Sequence, residues 1–208
     1  MGAIYRFNLP EIVKKHNIKY FVETGTLYGD GVDFVLKSIG DKLEKLYSIE
    51  LLTHLAEKAK IRFSGLNKVQ IHQGLSVDIL KDLLPLLDGN TLFWLDAHFP
   101  GADIKQASYY QPDKEEKEVI PLEEELNLIF NLRKSFKDVI ICDDLWLYED
   151  GEYETEARTI DNPLRKYCNG ETRAQIGKPN SNFLNKFLDT HNLIKSRLDQ
   201  GYALLYPK

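Results

Sequence analysis

Four residues that could bind a metal ion or move a proton follow two strongly apolar stretches of the sequence. Asp96 and His98 come after the stretch TLFWL. Asp143 and Asp144 come directly after the stretch VIIC. If both stretches are neighbouring parallel strands, their carboxyl ends meet at one edge of a sheet and bring the three carboxylates together. Carboxylates packed together repel one another, so this pattern predicts a divalent metal site, and Mg²⁺ suits its oxygen ligands.

The role of His98 stays open at this point. An imidazole two residues beyond Asp96 is able to act as a general base near neutral pH, as a metal ligand or as a hydrogen-bonded structural residue. The pair Asp143 and Asp144 also has a simpler explanation, an ordinary turn at the end of a strand. A bound divalent metal would lower the pKa of a substrate hydroxyl and orient its oxygen, so the cluster indicates catalysis.

A glycine-containing loop, ETGTLYGDG, spans residues 23–31. Its glycines allow a tight turn and a close approach of the backbone to a ligand. The spacing differs from the dinucleotide fingerprint, and the loop lacks the lysine of a phosphate-binding P-loop. Glu23 stands just ahead of the loop, where an acid disfavours a diphosphate and suits a ligand with an ammonium group. A tight turn that binds nothing is the alternative.

Two further residues come after the next two predicted strands. Glu50 ends the second strand, where an acidic side chain can accept hydrogen bonds from both hydroxyls of a ribose. A glutamate that only favours the start of the next helix is the alternative for Glu50. Ser76 follows the third strand, where it either caps the next helix or lies near an adenine, and capping is the simpler explanation.

Extended and helical patterns alternate along the chain. The predicted strands span 20–23, 45–49, 69–72, 91–95, 139–142, 193–198 and 202–206. The predicted helices span 8–16, 29–39, 51–63, 77–87, 121–134 and 182–191. This alternation predicts an α/β fold, a Rossmann-like three-layer sandwich whose seven-stranded, mostly parallel sheet closes with a C-terminal antiparallel hairpin. We expect one domain over 1–208, with insertions at about 99–118 and 145–178.

The bulk composition excludes several classes of protein. The 208 residues carry a net charge of −5, which argues against a nucleic-acid-binding surface. Cys142 and Cys168 lack the spacing of a zinc site or a disulfide framework. The sequence has no apolar run long enough to span a membrane and no signal-peptide pattern, so we expect a cytoplasmic protein. Both a monomer and a homo-oligomer are compatible with this composition.

Together these motifs resemble a known family. The set ETGTLYGDG, SIEL, FWLDAH, PLEEEL and IICDD is similar to class I S-adenosylmethionine-dependent methyltransferases. The likeness is to small bacterial members from polysaccharide and natural-product gene clusters and to macrocin-type, metal-dependent sugar O-methyltransferases. It covers about residues 19–148, and WLDAH with PLEEEL is its most specific part. The segment after His98 is more charged than the family's version, which leaves the acceptor open.

The resemblance implies a role for each matching position. The cofactor would be held by Glu23, Thr24, Gly25, Thr26, Gly29, Gly31, Glu50, Ser76 and Asp96. The metal would be held by Asp96, Asp143 and Asp144, with Asp96 or His98 as the catalytic base. The expected function is methyl transfer from S-adenosylmethionine to an oxygen of a small polar acceptor, a sugar or a sugar-linked metabolite. The alternatives are a metal-dependent hydrolase that uses the three aspartates and a non-catalytic cofactor-binding protein.

Overall fold

A seven-stranded sheet forms the centre of the fold. The computed structural model describes residues 3–108, 111, 113–149, 152–154 and 181–208. The strands are β1 (Tyr20–Thr24), β2 (Lys45–Glu50), β3 (Val69–Gln73), β4 (Thr91–Leu95), β5 (Val139–Cys142), β6 (His191–Ser196) and β7 (Tyr202–Pro207). Their spatial order is β3-β2-β1-β4-β5-β7-β6, with β1 to β5 parallel and β7 antiparallel to both of its neighbours. The predicted mostly parallel sheet with a closing hairpin is confirmed.

Helices flank the sheet, and those before residue 181 lie at the predicted places except for one short helix at the end of the predicted insertion 99–118. They are α1 (Leu9–His16), α2 (Asp30–Ile39), α3 (Thr53–Arg62), α4 (Ser76–Leu83), α5 (Glu116–Val119) and α6 (Leu122–Leu132), with 3₁₀ turns at Ile4–Arg6, Leu84–Leu86, Leu145–Leu147 and Ser181–Phe187. The predicted helix over 182–191 is wrong in type and extent. Only a 3₁₀ turn forms there, because His191 already pairs with Pro207 in the ladder between β6 and β7.

The middle strands are buried on both faces, which explains their unbroken apolar sequences. Every residue of β1, β4 and β5 is buried, as expected for parallel strands covered by helices on both sides. Two separate apolar clusters cover the two faces. Trp146 and Tyr148 lie in one of these clusters, so these two aromatic residues close the core. Tyr109, Tyr110, Cys168 and most of the predicted insertion at 145–178 lie outside the described residues.

The register of the sheet sets the location of the site. Thr24 at the end of β1 pairs with Leu95 at the end of β4, and Leu95 pairs with Cys142 at the end of β5. Asp96 and Asp143 are the next residues, so both emerge at the carboxyl edge of the sheet. None of the helices within the described ranges is long and apolar enough to cross a membrane.

A buried ion pair stabilises the opposite, amino edge of the sheet. Arg133 Nε donates to Asp138 Oδ2 at 2.7 Å, and both side chains are almost fully buried. The remaining guanidinium hydrogens go to Thr91 Oγ1 and to the carbonyl oxygens of Leu84, Leu87 and Gly89. Asp138 also accepts the backbone N–H of Thr91 at 2.7 Å. Arg133 therefore joins the end of α6 to the start of β4 and β5.

Replacing this arginine should cost far more stability than replacing a surface cation. We expect Arg133→Met to lower the free energy of unfolding by about 3–5 kcal/mol, because it leaves the Asp138 carboxylate buried and unpaired. The matched control is Lys37→Met, which removes an exposed pair with Asp33 and should cost about 0.5 kcal/mol or less. Urea denaturation measures both values. A loss of about 1 kcal/mol or less in Arg133→Met would contradict the structural role of this pair.

Candidate active site at the carboxyl edge of the sheet

The loop after β1 turns sharply beneath the end of β4. Gly25 has a φ of +88°, and a Cβ atom there would collide with the backbone carbonyl of Asp96. Leu27 and Gly29 also have positive φ values, so the loop reverses direction before α2 begins. Thr24 and Thr26 are both buried in this turn. The loop therefore needs glycine for close packing against the neighbouring strand, as the sequence pattern indicated.

Glu23 is buried beneath this loop rather than displayed on its surface. Its Oε2 accepts a hydrogen bond from Ser48 Oγ at 2.5 Å, and Ser48 in turn lies 2.6 Å from Thr26 Oγ1. The other oxygen contacts Gly31, where a side chain would collide with it. Burial raises the pKa of Glu23 to about 8, the Ser48 hydrogen bond opposes this shift, and the nearby Asp96 and Glu50 carboxylates add to it.

The Glu50 carboxylate is fixed at the end of β2. Its Oε2 accepts the backbone N–H of Leu27 at 2.8 Å, and its Oε1 accepts the backbone N–H of Leu52 at 2.9 Å. Burial raises its pKa, while these hydrogen bonds act in the opposite direction. Because each carboxylate oxygen has more than one lone pair, both oxygens can still accept a ligand hydroxyl. Glu50 borders the same cleft as Gly25 and Ser76.

The prediction that Ser76 caps the following helix is wrong. Ser76 is the first residue of α4, the N-cap position belongs to Leu75, and no side chain caps this helix. Ser76 is instead buried at the border of the cleft, and its hydroxyl lowers the pKa of Glu125. This placement agrees with the other interpretation, a position beside a ligand.

Asp96, His98 and Asp144 form a compact cluster at the ends of β4 and β5. One ligand atom from each residue lies within 4.8 Å of the others. His98 Nε2 is 2.6 Å from Asp144 Oδ2, and His98 Nδ1 is 3.1 Å from the backbone oxygen of Asp96. Indole N–H groups hold both carboxylates, Trp94 donating to Asp96 at 3.3 Å and Trp146 donating to Asp144 at 3.1 Å.

The charges of this cluster depend on one another. Burial alone would lower the pKa of His98, but Asp144 and Asp96 outweigh it and raise the pKa to about 10. Burial raises the pKa of Asp96 to about 7, opposed by His98 and assisted by Asp144. For Asp144, burial would raise the pKa, but the contact with His98 lowers it overall. The cluster therefore contains an imidazolium paired with the Asp144 carboxylate.

Asp143 is buried but lies outside the compact cluster. Its Oδ1 accepts the backbone N–H of Asp144 at 2.8 Å, and its Oδ2 has no hydrogen-bond partner among the described residues. Burial raises the pKa of Asp143 well above its usual value, and the charges of Asp96 and Asp144 add to this shift. Of the three aspartates predicted to converge, the structure brings Asp96 and Asp144 together with His98.

Glu125 is a site residue that the sequence analysis did not single out. It lies on α6, is almost fully buried, and lines a small polar cavity with Asp96, His98 and Asp144. Thr24 Oγ1 donates to Glu125 Oε2 at 3.4 Å and accepts the backbone N–H of Asp96 at 3.3 Å. Burial raises the pKa of Glu125 to about 7.

The helical pattern of the sequence could have identified Glu125 as a site residue. Leu122, Glu125, Leu126 and Ile129 share the buried face of α6 at helical spacing. A charged residue in the middle of an apolar face is costly unless the fold provides polar partners. Glu125 was therefore an identifiable candidate for the polar site.

Comparison with known proteins places this fold among methyltransferases. Neither a protein-family model nor a curated protein matches the sequence. Solved structures do match: the SAH-bound methyltransferase PaMTH1 of Podospora anserina has a TM-score of 0.65 and 14% identity, over 100% of this chain and 80% of that one. TomG, an O-methyltransferase of Streptomyces achromogenes involved in tomaymycin synthesis and solved with SAM, has a TM-score of 0.58 and 16% identity, over 100% and 82%.

A third match agrees with these two. The O-methyltransferase of Bacillus cereus in complex with SAH has a TM-score of 0.57 and 16% identity, over 100% of this chain and 83% of that one. At such identities the likeness shows the fold. The chain has the Rossmann-like fold of class I S-adenosylmethionine-dependent methyltransferases, as the motifs predicted.

The buried Glu23 carboxyl should make stability depend on pH. Because its pKa is raised on folding, it favours the folded state most below its unfolded pKa of about 4.3, and this contribution is lost as pH rises through about 8. We expect the free energy of unfolding to fall over this interval in the ligand-free protein. Glu23→Gln should make the fall smaller, and Glu57→Gln, at an exposed position of α3, should leave it unchanged. Identical pH profiles for Glu23→Gln and the unmodified chain, measured by urea denaturation, would show that Glu23 is not responsible.

Proposed function

We propose that this protein is an S-adenosylmethionine-dependent O-methyltransferase. The observation that carries the proposal is that one cleft collects the predicted cofactor and catalytic residues from four strand ends. The cleft is bordered by Gly25 after β1, Glu50 at the end of β2, Ser76 after β3, and Asp96 with His98 after β4. Ligands of open α/β sheets bind at this edge. The fold shared with SAM-bound and SAH-bound proteins supports the same cofactor.

The residues present fit such a cofactor. Glu50 is held by two backbone N–H groups with its remaining lone pairs available, which suits the two hydroxyls of a ribose. Gly25 and Leu27 of the glycine loop border the cleft, and in this proposal the amino-acid portion would bind beside them. Glu23 lies buried beneath the loop, and the other predicted positions, Thr24 and Gly29, shape it. S-adenosylmethionine supplies a methyl group on a positively charged sulfur, which leaves as a neutral thioether.

The segment after His98 covers this cleft. Phe99, Pro100, Gly101 and Ile104 line it, and the cleft encloses about 90 Å³. Sites for ligands of cofactor size enclose roughly 300 Å³ or more. We propose that this segment moves outward to admit the cofactor and folds back over it. Closure of such a segment would exclude water from the reacting atoms.

The acceptor must lose a proton as its oxygen bonds to the methyl carbon, and Asp96 is the better placed base. Both nitrogens of His98 donate hydrogen bonds, one to the Asp96 backbone oxygen and one to Asp144, so neither has a free lone pair. Asp96 Oδ1 is 3.6 Å from His98 Nδ1, beyond hydrogen-bond distance, and can accept a proton. The pKa of Asp96, about 7, suits a general base near neutral pH. In this proposal His98 positions Asp96 and Asp144.

We also propose a divalent metal at the cluster of Asp96 and Asp144. Two carboxylates within reach of one another fit a hard cation such as Mg²⁺. When bound, the ion would supply charge that lowers the pKa of an acceptor hydroxyl. The acceptor we propose is a small polar molecule, a sugar or a sugar-linked metabolite, on the strength of the motif resemblance.

The first test of the proposal is binding of S-adenosylhomocysteine. We expect calorimetric titration to give a dissociation constant in the micromolar range, because Glu50 and the glycine loop are already positioned. Glu50→Ala should weaken binding by roughly tenfold or more, since two charge-assisted hydrogen bonds to the ribose are lost. Glu57→Ala, an exposed change on the following helix, is the matched control and should bind normally. If the folded, unmodified protein shows no binding, the methyltransferase assignment fails and a metal-dependent hydrolase becomes the leading function.

Two adjacent aspartates allow a separate test of the metal site. Calorimetric titration with Mg²⁺ alone should show binding that Asp144→Asn weakens by roughly tenfold or more, because a carboxylate ligand is removed. Asp143→Asn should change Mg²⁺ binding much less, since this side chain lies outside the compact cluster. Equal losses in both variants would contradict the proposed ligand set. Failure of the metal test leaves the cofactor test intact, because neither measurement depends on the other.

A further inference from the structure

A second large concavity lies at the amino edge of the sheet, opposite the candidate active site. It encloses about 710 Å³, against about 90 Å³ for the cleft at the carboxyl edge. Its walls are the end of α6, the connection 133–138, the 3₁₀ turn that ends at Phe187, and the ends of β6 and β7. We call this concavity the basic groove. Its volume falls within the range of small-molecule binding sites, about 300–1,000 Å³.

Aromatic rings form one wall of the basic groove. Phe130 and Phe187 stack with ring centroids 3.9 Å apart and an interplanar angle of 10°. His191 meets Phe130 edge-on at 4.8 Å, and its Nε2 lies 3.2 Å from the backbone oxygen of Asp138, which fixes the ring. Phe136 packs against the Arg133 guanidinium at 4.2 Å and is only half-buried. Phe187 and His191 are buried, so the half-buried rings of Phe130 and Phe136 are the ones that offer apolar surface to the groove.

Positive charge dominates the rim of the basic groove. Lys134, Lys137 and Lys208 line it, are exposed, and have no ion-pair partner among the described residues. The other two cations of the lining are already paired, Arg133 with Asp138 and Lys186 with Glu123. Asp189 is the one lining carboxylate, among the described residues, outside these pairs. This local excess of ammonium groups stands out in a chain whose net charge is −5.

We infer that the basic groove binds a small anion that combines at least two negative charges with a flat ring, of which a nucleoside diphosphate is the chemical class. Clustered ammonium groups attract phosphate, and the aromatic wall suits stacking of a base or a similar ring. The four residues of β5 separate this groove from the cluster at the other edge by about 13 Å. The inference is thus independent of the proposed methyl transfer.

The test uses uridine diphosphate as the probe, because an adenine nucleotide could also enter the cleft at the carboxyl edge. Calorimetric titration of the full chain should show binding of uridine diphosphate both without and with S-adenosylhomocysteine. The double variant K134E/K137E should bind it roughly tenfold or more weakly, since two attractive charges become repulsive. The control variant K42E/K58E reverses two other exposed lysines and should bind it like the unmodified chain. Inorganic pyrophosphate should bind more weakly than uridine diphosphate because it lacks the ring.

Several results would overturn the inference. Absence of uridine diphosphate binding would do so, and so would equal losses in K134E/K137E and K42E/K58E. Binding that K134E/K137E leaves unchanged would place the probe elsewhere on the protein. Pyrophosphate binding as strong as that of uridine diphosphate would show that the aromatic wall contributes nothing and would reject the nucleotide class. Normal thermal unfolding and normal S-adenosylhomocysteine binding by K134E/K137E would show that its loss is local.

Discussion

Several carboxyl groups are buried together at the carboxyl edge of the sheet. Glu23, Glu125, Asp143 and Asp144 are almost fully buried, and Asp96 lies among them. Each would be costly alone, and the fold provides polar side-chain partners for four of the five, whereas Asp143 Oδ2 has no hydrogen-bond partner among the described residues. Hydroxyls serve Glu23 and Glu125, indoles serve Asp96 and Asp144, and the His98 imidazolium neutralises Asp144. Buried carboxyl groups clustered in this way are typical of sites that bind a cationic ligand or transfer a proton.

The sheet itself could be predicted because each of its strands carries a strong local pattern. The apolar stretch of β4 was predicted with its observed bounds, Thr91–Leu95, and that of β5 with Val139–Cys142. The closing hairpin was also recognisable, since Asp199 and Gly201 adopt the positive φ values that its turn requires. The helix predicted over 182–191 was wrong because its local pattern was misleading. Its apolar residues suit helical spacing, but pairing of His191 with β7 is a long-range contact that no local pattern contains.

The sequence predicted which strand ends form the site, but not which side chains contact one another there. The structure has Glu50 and Asp96 at one cleft, as their positions at strand ends predicted, whereas Glu23 lies buried beneath the adjoining loop. Spacing could not decide which of the two adjacent aspartates joins Asp96 and His98, because the difference lies in the contact between His98 and Asp144. The place of Glu125 on the apolar face of α6 was visible in the sequence, but its contact with Thr24, 101 residues away, was not. Both features arise from packing between elements, which a single sequence does not display.

The same hydrogen bonds that order the cluster also restrict its chemistry. The short contact from His98 to Asp144, at 2.6 Å, makes the imidazole a fixed cation rather than a group ready to accept a proton. That cation lies beside Asp96 and opposes the rise in its pKa, so it keeps a share of Asp96 ionised near neutral pH. The Trp94 indole occupies Oδ2 of Asp96, and Oδ1 is the oxygen beyond hydrogen-bond distance of His98. In the proposed reaction, His98 would set the charge of the cluster and Asp96 would hold the oxygen that takes up a proton.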